Sequence, residues 1–271
     1  MKSRTTAVLI SVMLISAVFT GYAIYRVRAA DNVYEEAANA YDKVSESFTR
    51  PKGKPQEQPV PEKQETVYEE APIEVDFAPL QESCANGNIV GWLYCEDTPI
   101  NYPVVCGTDN VFYLSHLIDG SYHVSGSLFM DCANDENWAD RNTVIYGHHM
   151  GDGSMFGSLQ KYRSEDYAKE HPYMWLMTPN GDYKLEYLGC YVTDTESAAF
   201  QTQFTEDGEF RDFLDRTVSS FTYPAERELN TEDRLISLST CSYESNNVRQ
   251  ITVLRRMTQE ELIQQTESAG N

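Results

Sequence analysis

Seven short runs rich in Val, Ile, Leu and Tyr recur along the chain, at residues 89–94, 100–105, 126–130, 143–146, 183–192, 234–240 and 250–254. Gly, Asn, Asp and Pro punctuate them, as expected of strands joined by tight turns. Short strands cannot each bury a face alone, so the chain must close them on one another in a mainly β fold, a barrel or a sandwich. Helical patterns interrupt the series twice, at 155–170 and 205–221. In the second, Thr205 can cap the start, and Phe210, Phe213, Leu214 and Val218 recur at helical spacing. Val75, Phe77 and Leu80 predict a further short helix before the first strand.

The N-terminus has a different solvent in view. Lys2 and Arg4 precede residues 7–25, a stretch without a charged side chain. At helical rise such a stretch nearly covers the ~30 Å hydrocarbon core of a bilayer. It exceeds a signal-peptide apolar region, and no clear A-x-A site follows, so it reads as an uncleaved anchor; a cleaved signal peptide is the alternative. Arg26 and Arg28 flank the far side, and the expected orientation leaves the first six residues in the cytoplasm. Residues 26–74 then read as a juxtamembrane helix, 31–48, and a spacer with prolines at 51, 55, 59, 61 and 72. That composition favours an extended linker or stalk. Residues 75–258 form the globular domain on this reading, and 259–271 a C-terminal tail.

Forty-two acidic residues against 21 basic give a net charge of −21. Such a surface repels phosphate backbones, which argues against nucleic-acid binding. The cysteines, Cys84, Cys95, Cys106, Cys132, Cys190 and Cys241, have scattered spacings, and C-x-x-C and H-x-x-H pairs are absent. A local zinc site is therefore not expected. If Cys241 is a free nucleophile, the other five are expected to be mostly reduced and buried, with room for one bridge.

Chemistry concentrates at three strand ends. Cys241 closes the run 234–240, Arg249 opens the run 250–254, and Gly147-His148 follows the run 143–146. Gly147 suits a sharp turn that would project the imidazole. A thiol attacks as thiolate, and neighbouring cations favour that form. An imidazole can protonate a leaving amine and later accept a proton. A guanidinium stays charged and can hold a developing oxyanion. Cysteine acyl transfer needs these three groups in one cleft. His148 precedes Cys241 by 93 residues, opposite to the papain order, and the caspase Q-A-C-[RQG]-G motif is missing.

Leu238-Ser239-Thr240-Cys241 followed by Arg249 resembles the L-[ST]-T-C…R motif of sortases, the transpeptidases of Gram-positive surfaces. Tyr146-Gly147-His148 fits their histidine motif. Val90-Gly91-Trp92-Leu93-Tyr94, the segment 100–105, Gly107-Thr108-Asp109-Asn110 and the segments 126–131 and 142–156 are similar to class B sortases, as is a helix at 205–221 before the Cys strand. The resemblance covers residues 75–256.

It implies a closed eight-stranded sortase barrel with an N-terminal helix and a helix inserted before the catalytic-Cys strand. It also implies that Cys241 attacks after the Thr of a short sorting motif in surface proteins. A thioacyl enzyme forms, and an amine of peptidoglycan or its precursor resolves it. His148 would be the general acid/base and Arg249 the oxyanion or positioning group; His149 should point elsewhere, since adjacent strand residues face opposite sides. Ser239 shares the Cys241 face of a regular strand and is a candidate to bind substrate backbone, with Tyr243 and Glu244 in the following loop as weaker candidates. No cofactor or metal is expected, and class A calcium dependence does not carry over. Cys95, Cys106 and Cys132 depart from the class B pattern. The expected location is the cell membrane, single-pass, with the catalytic domain on the extracellular face. A hydrolytic cysteine peptidase and a tethered binding module with a structural Cys241 are the alternatives.

Overall fold

A computed structural model describes residues 2–52, 69–224, 227–241 and 247–269, with the side chain of Cys241 outside the description. The chain opens with α1 (Lys2–Phe48), a small ribbon of β1 (Thr49–Pro51) and β2 (Ile73–Val75), and the short α2 (Phe77–Glu82). There follow β3 (Asn88–Tyr94), β4 (Asn101–Cys106), β5 (Leu128–Met130), β6 (Asn142–Tyr146), α3 (Glu165–Glu170), β7 (Tyr173–Thr178) and β8 (Gly181–Asp194). Last come α4 (Asp207–Ser220), β9 (Leu235–Cys241), β10 (Val248–Arg256) and α5 (Gln259–Ala269). Eight strands, β3 to β10, close into a barrel in the order β10-β8-β7-β3-β4-β5-β6-β9. The expected mainly β, eight-stranded barrel is what the chain forms.

Two junctions of the barrel, β4 with β5 and β6 with β9, are parallel; the rest are antiparallel. Parallel neighbours require a long crossover, and the one from β6 to β9 carries β7, β8 and the inserted helix α4. Outside the barrel wall, Leu235, Ile251 and Val253 pack with Phe210, Phe213 and Leu214 of α4. A second cluster joins Leu80 of α2 to Trp92, Val105, Phe129 and Trp175 on β3, β4, β5 and β7. These clusters hold the two helices on the sheet by apolar burial and leave the strand ends free to carry polar groups.

The structure departs from the sequence expectations in several places. β7 was not among the expected strands; its Trp175 and Met177 are core residues of the second cluster. The helix expected at 155–170 is a 3-10 segment, Gly157–Arg163, and then α3, broken at Ser164 by an extended backbone of ψ 123°. Helix α4 starts one residue later than Thr205 capping would place it: Glu206 is the N-cap, and Thr205 instead donates from its hydroxyl and N–H to Glu209. The C-terminal tail is the helix α5.

The chain divides into two compact units, Met1–Asp42 and Lys43–Asn271. Residues 7–25 lie within α1. Among the described residues no helix is long and apolar enough to cross a membrane. Of the expected spacer, Arg50 and Pro51 pair with Glu74 and Ile73, and Lys52 N–H donates to the Pro72 carbonyl at 2.9 Å. Both ends of the Pro-rich stretch therefore meet in one ribbon.

Candidate active site

The register of three strands places the expected trio. In the parallel β6–β9 ladder Asn142 pairs with Leu235, Val144 with Ser237 and Tyr146 with Ser239. Each β9 residue stands 93 positions after its partner, as Cys241 stands after His148. Gly147 N–H extends the ladder by donating to the Ser239 carbonyl at 3.1 Å. On the other side of β9, Arg249 of β10 is the direct antiparallel partner of Cys241. Paired residues of a sheet face the same side. His148 lies two residues past the last β6–β9 pair, Tyr146 with Ser239; continued to it, the register sets His148, Cys241 and Arg249 in a row along three neighbouring strand ends, on the face that α4 covers further along.

Gly147 has a reason other than the sharp turn expected of it. Its φ is not among the positive values, and a Cβ there would lie 2.5 Å from Leu128 Cδ2 and 2.6 Å from Phe156 Cδ2. Both neighbours are fully buried. The missing side chain lets β6 run flush against this packing and fixes where His148 leaves the strand. Gly147→Ala is expected to cost about 1–3 kcal/mol by overpacking, measurable as a lowered denaturant midpoint at constant slope.

His148 is half-buried, and its Nε2 lies 2.6 Å from the Leu114 carbonyl oxygen. His149 makes an isolated bridge with Met155 instead of continuing the row. Ser239 is 2 % exposed, and its hydroxyl has no hydrogen-bond partner among the described residues. Such a group is costly to bury alone. Tyr243 and Glu244 lie outside the described residues.

Several site neighbours were not anticipated. Tyr146, two positions before His148 and so on its face, donates from its hydroxyl to Asp131 Oδ2 at 2.7 Å. Asn110 Nδ2 donates to the same oxygen at 3.0 Å, and Ala133 N–H to Asp131 Oδ1 at 2.9 Å. Burial and the Asp131 carboxylate push the Tyr146 phenol above its ordinary pKa, while the Arg249 charge pulls the other way. Tyr146 also stacks on Phe200, giving the row an aromatic wall. Period-two spacing before His148 was the signal for Tyr146; Asn110 stood in a quoted motif without a role.

The remaining cysteines are free thiols. Cys95, Cys106 and Cys190 are buried as expected, Cys84 is half-buried, and Cys132 is exposed, contrary to expectation. Burial raises the pKa of Cys95 and Cys190, and that of Cys106 to about 11. A protonated buried thiol is inert, so these three fill space.

No model of a known protein family matches the chain. Individual proteins do. Sortase B of Staphylococcus aureus is 30% identical over 257 residues, spanning 94% of this chain and 97% of that protein. The chain belongs to the sortase B family. Membership makes it a cysteine transpeptidase. Sortase B of Listeria monocytogenes is 37% identical over 161 residues, which cover 59% of this chain and 65% of that protein. Among solved structures, the B. anthracis sortase B in complex with AAEK1 superposes with a TM-score of 0.69 at 29% identity, covering 84% of this chain and 99% of that one. An S. aureus sortase B–substrate complex gives 0.63 at 30% identity, covering 68% and 85%. A sortase B complexed with triglycine gives 0.60 at 31%, covering 63% and 81%. The sortase barrel is thus shared by the chain and these relatives.

Proposed function

We propose that Cys241 is the nucleophile, His148 the general acid/base and Arg249 the oxyanion or substrate-positioning group of a transpeptidase acting on sorting-motif-bearing surface proteins. The observation that supports this reading is the strand register: Arg249 is the direct partner of Cys241, and His148 follows β6 two positions after Tyr146, the partner of Ser239. The Cys241 sulfur adds to the carbonyl carbon of the motif Thr, the C–N bond breaks, and the leaving nitrogen takes a proton from His148. A thioester remains. An amine of peptidoglycan or its precursor then attacks, gives a proton to His148, and displaces the sulfur as thiolate. Arg249 offers fixed positive charge where the carbonyl oxygen becomes an oxyanion. Ser239 binds the substrate backbone, and Tyr243 and Glu244 are weaker candidates for substrate contact. Residues 7–25 anchor the chain in the cell membrane in a single pass, with the catalytic domain on the extracellular face.

The relatives' complexes with a substrate and with triglycine support a peptide donor and an amine acceptor for this chain as well. The test is a peptide library of Thr-containing motifs offered to the full chain with and without triglycine. The expected result is a motif-specific adduct in which triglycine replaces the residues after Thr. Products that stay hydrolytic at saturating triglycine would make the enzyme a peptidase instead.

A further inference from the structure

We infer that the Leu114 main-chain carbonyl, held in position by Gly126, fixes the tautomer of His148 so that all proton traffic in the reaction runs through Nδ1. The inference rests on the reading of His148 as general acid/base. A carbonyl oxygen can only accept, so the 2.6 Å contact commits Nε2 to carrying a proton. In the neutral ring the lone pair then sits on Nδ1, which is the nitrogen left to exchange protons.

The carbonyl is not free to drift. The 3-10 turn Phe112–Leu114 that ends in Leu114 is tied at its start, where Val111 and Phe112 N–H groups both donate to Asp109 Oδ1 at 2.8 Å. Across the loop, Ser127 N–H donates to the Tyr113 carbonyl and His123 N–H to the Ser115 carbonyl, each at 2.9 Å. Gly126 closes the arrangement with φ +54°, in the left-handed region. A Cβ at that position would lie 2.3 Å from the Tyr113 oxygen and 2.8 Å from both the carbon and the oxygen of the Leu114 carbonyl. Only glycine allows this approach. Leu114 and Gly126 are therefore positioning residues: they orient the ring and touch no reacting atom.

Proton bookkeeping follows from this. The Cys241 thiol proton goes to Nδ1, giving thiolate and imidazolium. After attack, Nδ1 returns that proton to the leaving nitrogen as the C–N bond breaks. In the second half, the entering amine loses its proton to Nδ1 while the C–S bond breaks. Nε2–H stays on the Leu114 carbonyl throughout and helps to hold the cationic ring. The carbonyl thus takes the place that a carboxylate occupies in a Ser-His-Asp triad, without its full charge.

Histidine-selective 15N NMR of the full chain in detergent micelles tests this, with the His148 ring assigned by its loss in His148→Ala. The expected spectrum is that of a single Nε2-protonated ring once the imidazole is neutral. An Nδ1-protonated ring, or the averaged shifts of a free imidazole, would overturn the inference. Gly126→Ala is expected to turn the pattern into the averaged one and to lower kcat roughly 10- to 100-fold with little change in KM. Retention of the single-tautomer pattern with full turnover in Gly126→Ala would also count against it. Separately, turnover that survives in His148→Ala would refute the general acid/base reading itself, whatever the tautomer.

Discussion

Cys241→Ala and His148→Ala are each expected to abolish transpeptidation, while His149→Ala keeps most of the wild-type rate. Loss of Cys241 removes the atom that forms the covalent bond, so no thioester mass appears on incubation with a motif peptide. Loss of His148 leaves the sulfur but removes the proton carrier, an effect on the order of 10²–10⁴ in rate. His149 is the control that discriminates: it is an adjacent, half-buried imidazole of the same chemistry, but its backbone bridges to Met155 and it falls outside the row. Steady-state rates and intact-mass detection of the acyl enzyme check all three variants. Equal loss at His149 would show that proximity of any imidazole, and not the row, sets activity.

The row was legible early because it is written in strand ends. Cys241, Arg249 and His148 each follow or precede a β-branched run, and a closed sheet brings such ends together. What the sequence alone does not display is the register, because the partners of β6 and β9 lie across a long crossover. β7 escaped notice since its run YMWLMT lacks the Val and Ile of the other strands, and its aromatics read as generic core. The break at Ser164 is a competition between a serine that favours caps and flanking residues that tolerate helix. Helix α5 did have a local signature. Thr258 and Glu261 form a capping box, with Thr258 N–H donating to Glu261 Oε2 at 2.8 Å and Glu261 N–H to Thr258 Oγ1 at 3.3 Å. Leu114 carried no signal at all, since its contribution is a main-chain atom.

The same Glu261 leads to a second large effect, on stability. Arg255 of β10 is 1 % exposed and donates to Glu186 of β8, Asp233 ahead of β9 and Glu261 of α5. One guanidinium therefore ties the C-terminal helix to the barrel wall and satisfies three carboxylates. Arg255→Ala takes the guanidinium from the buried Asp233 and leaves Glu186 and Glu261 with only the more exposed Arg227; removing one partner of a buried ion pair costs about 3–5 kcal/mol. For a domain of this size that corresponds to a Tm lower by roughly 6–20 °C. The pH dependence gives the direction that a simple loss of packing would lack. Burial alone would raise the Glu261 pKa, but its bonds to Arg255, with the Thr258 N–H and the Arg227 charge, outweigh this and hold the carboxyl below its ordinary value. A depressed folded-state pKa contributes stability above the unfolded carboxylate range, and that contribution is lost as pH falls through the folded value. Arg255→Ala removes the Arg255 share of it and adds repulsion among ionised carboxylates. The gap in Tm between wild type and variant is therefore expected to be widest near neutral pH and to narrow on acidification, as the clustered carboxylates take up protons. Calorimetric scans of both proteins between neutral and acidic pH decide it; a gap that stays constant across that range would mean that Arg255 stabilises the fold by packing alone.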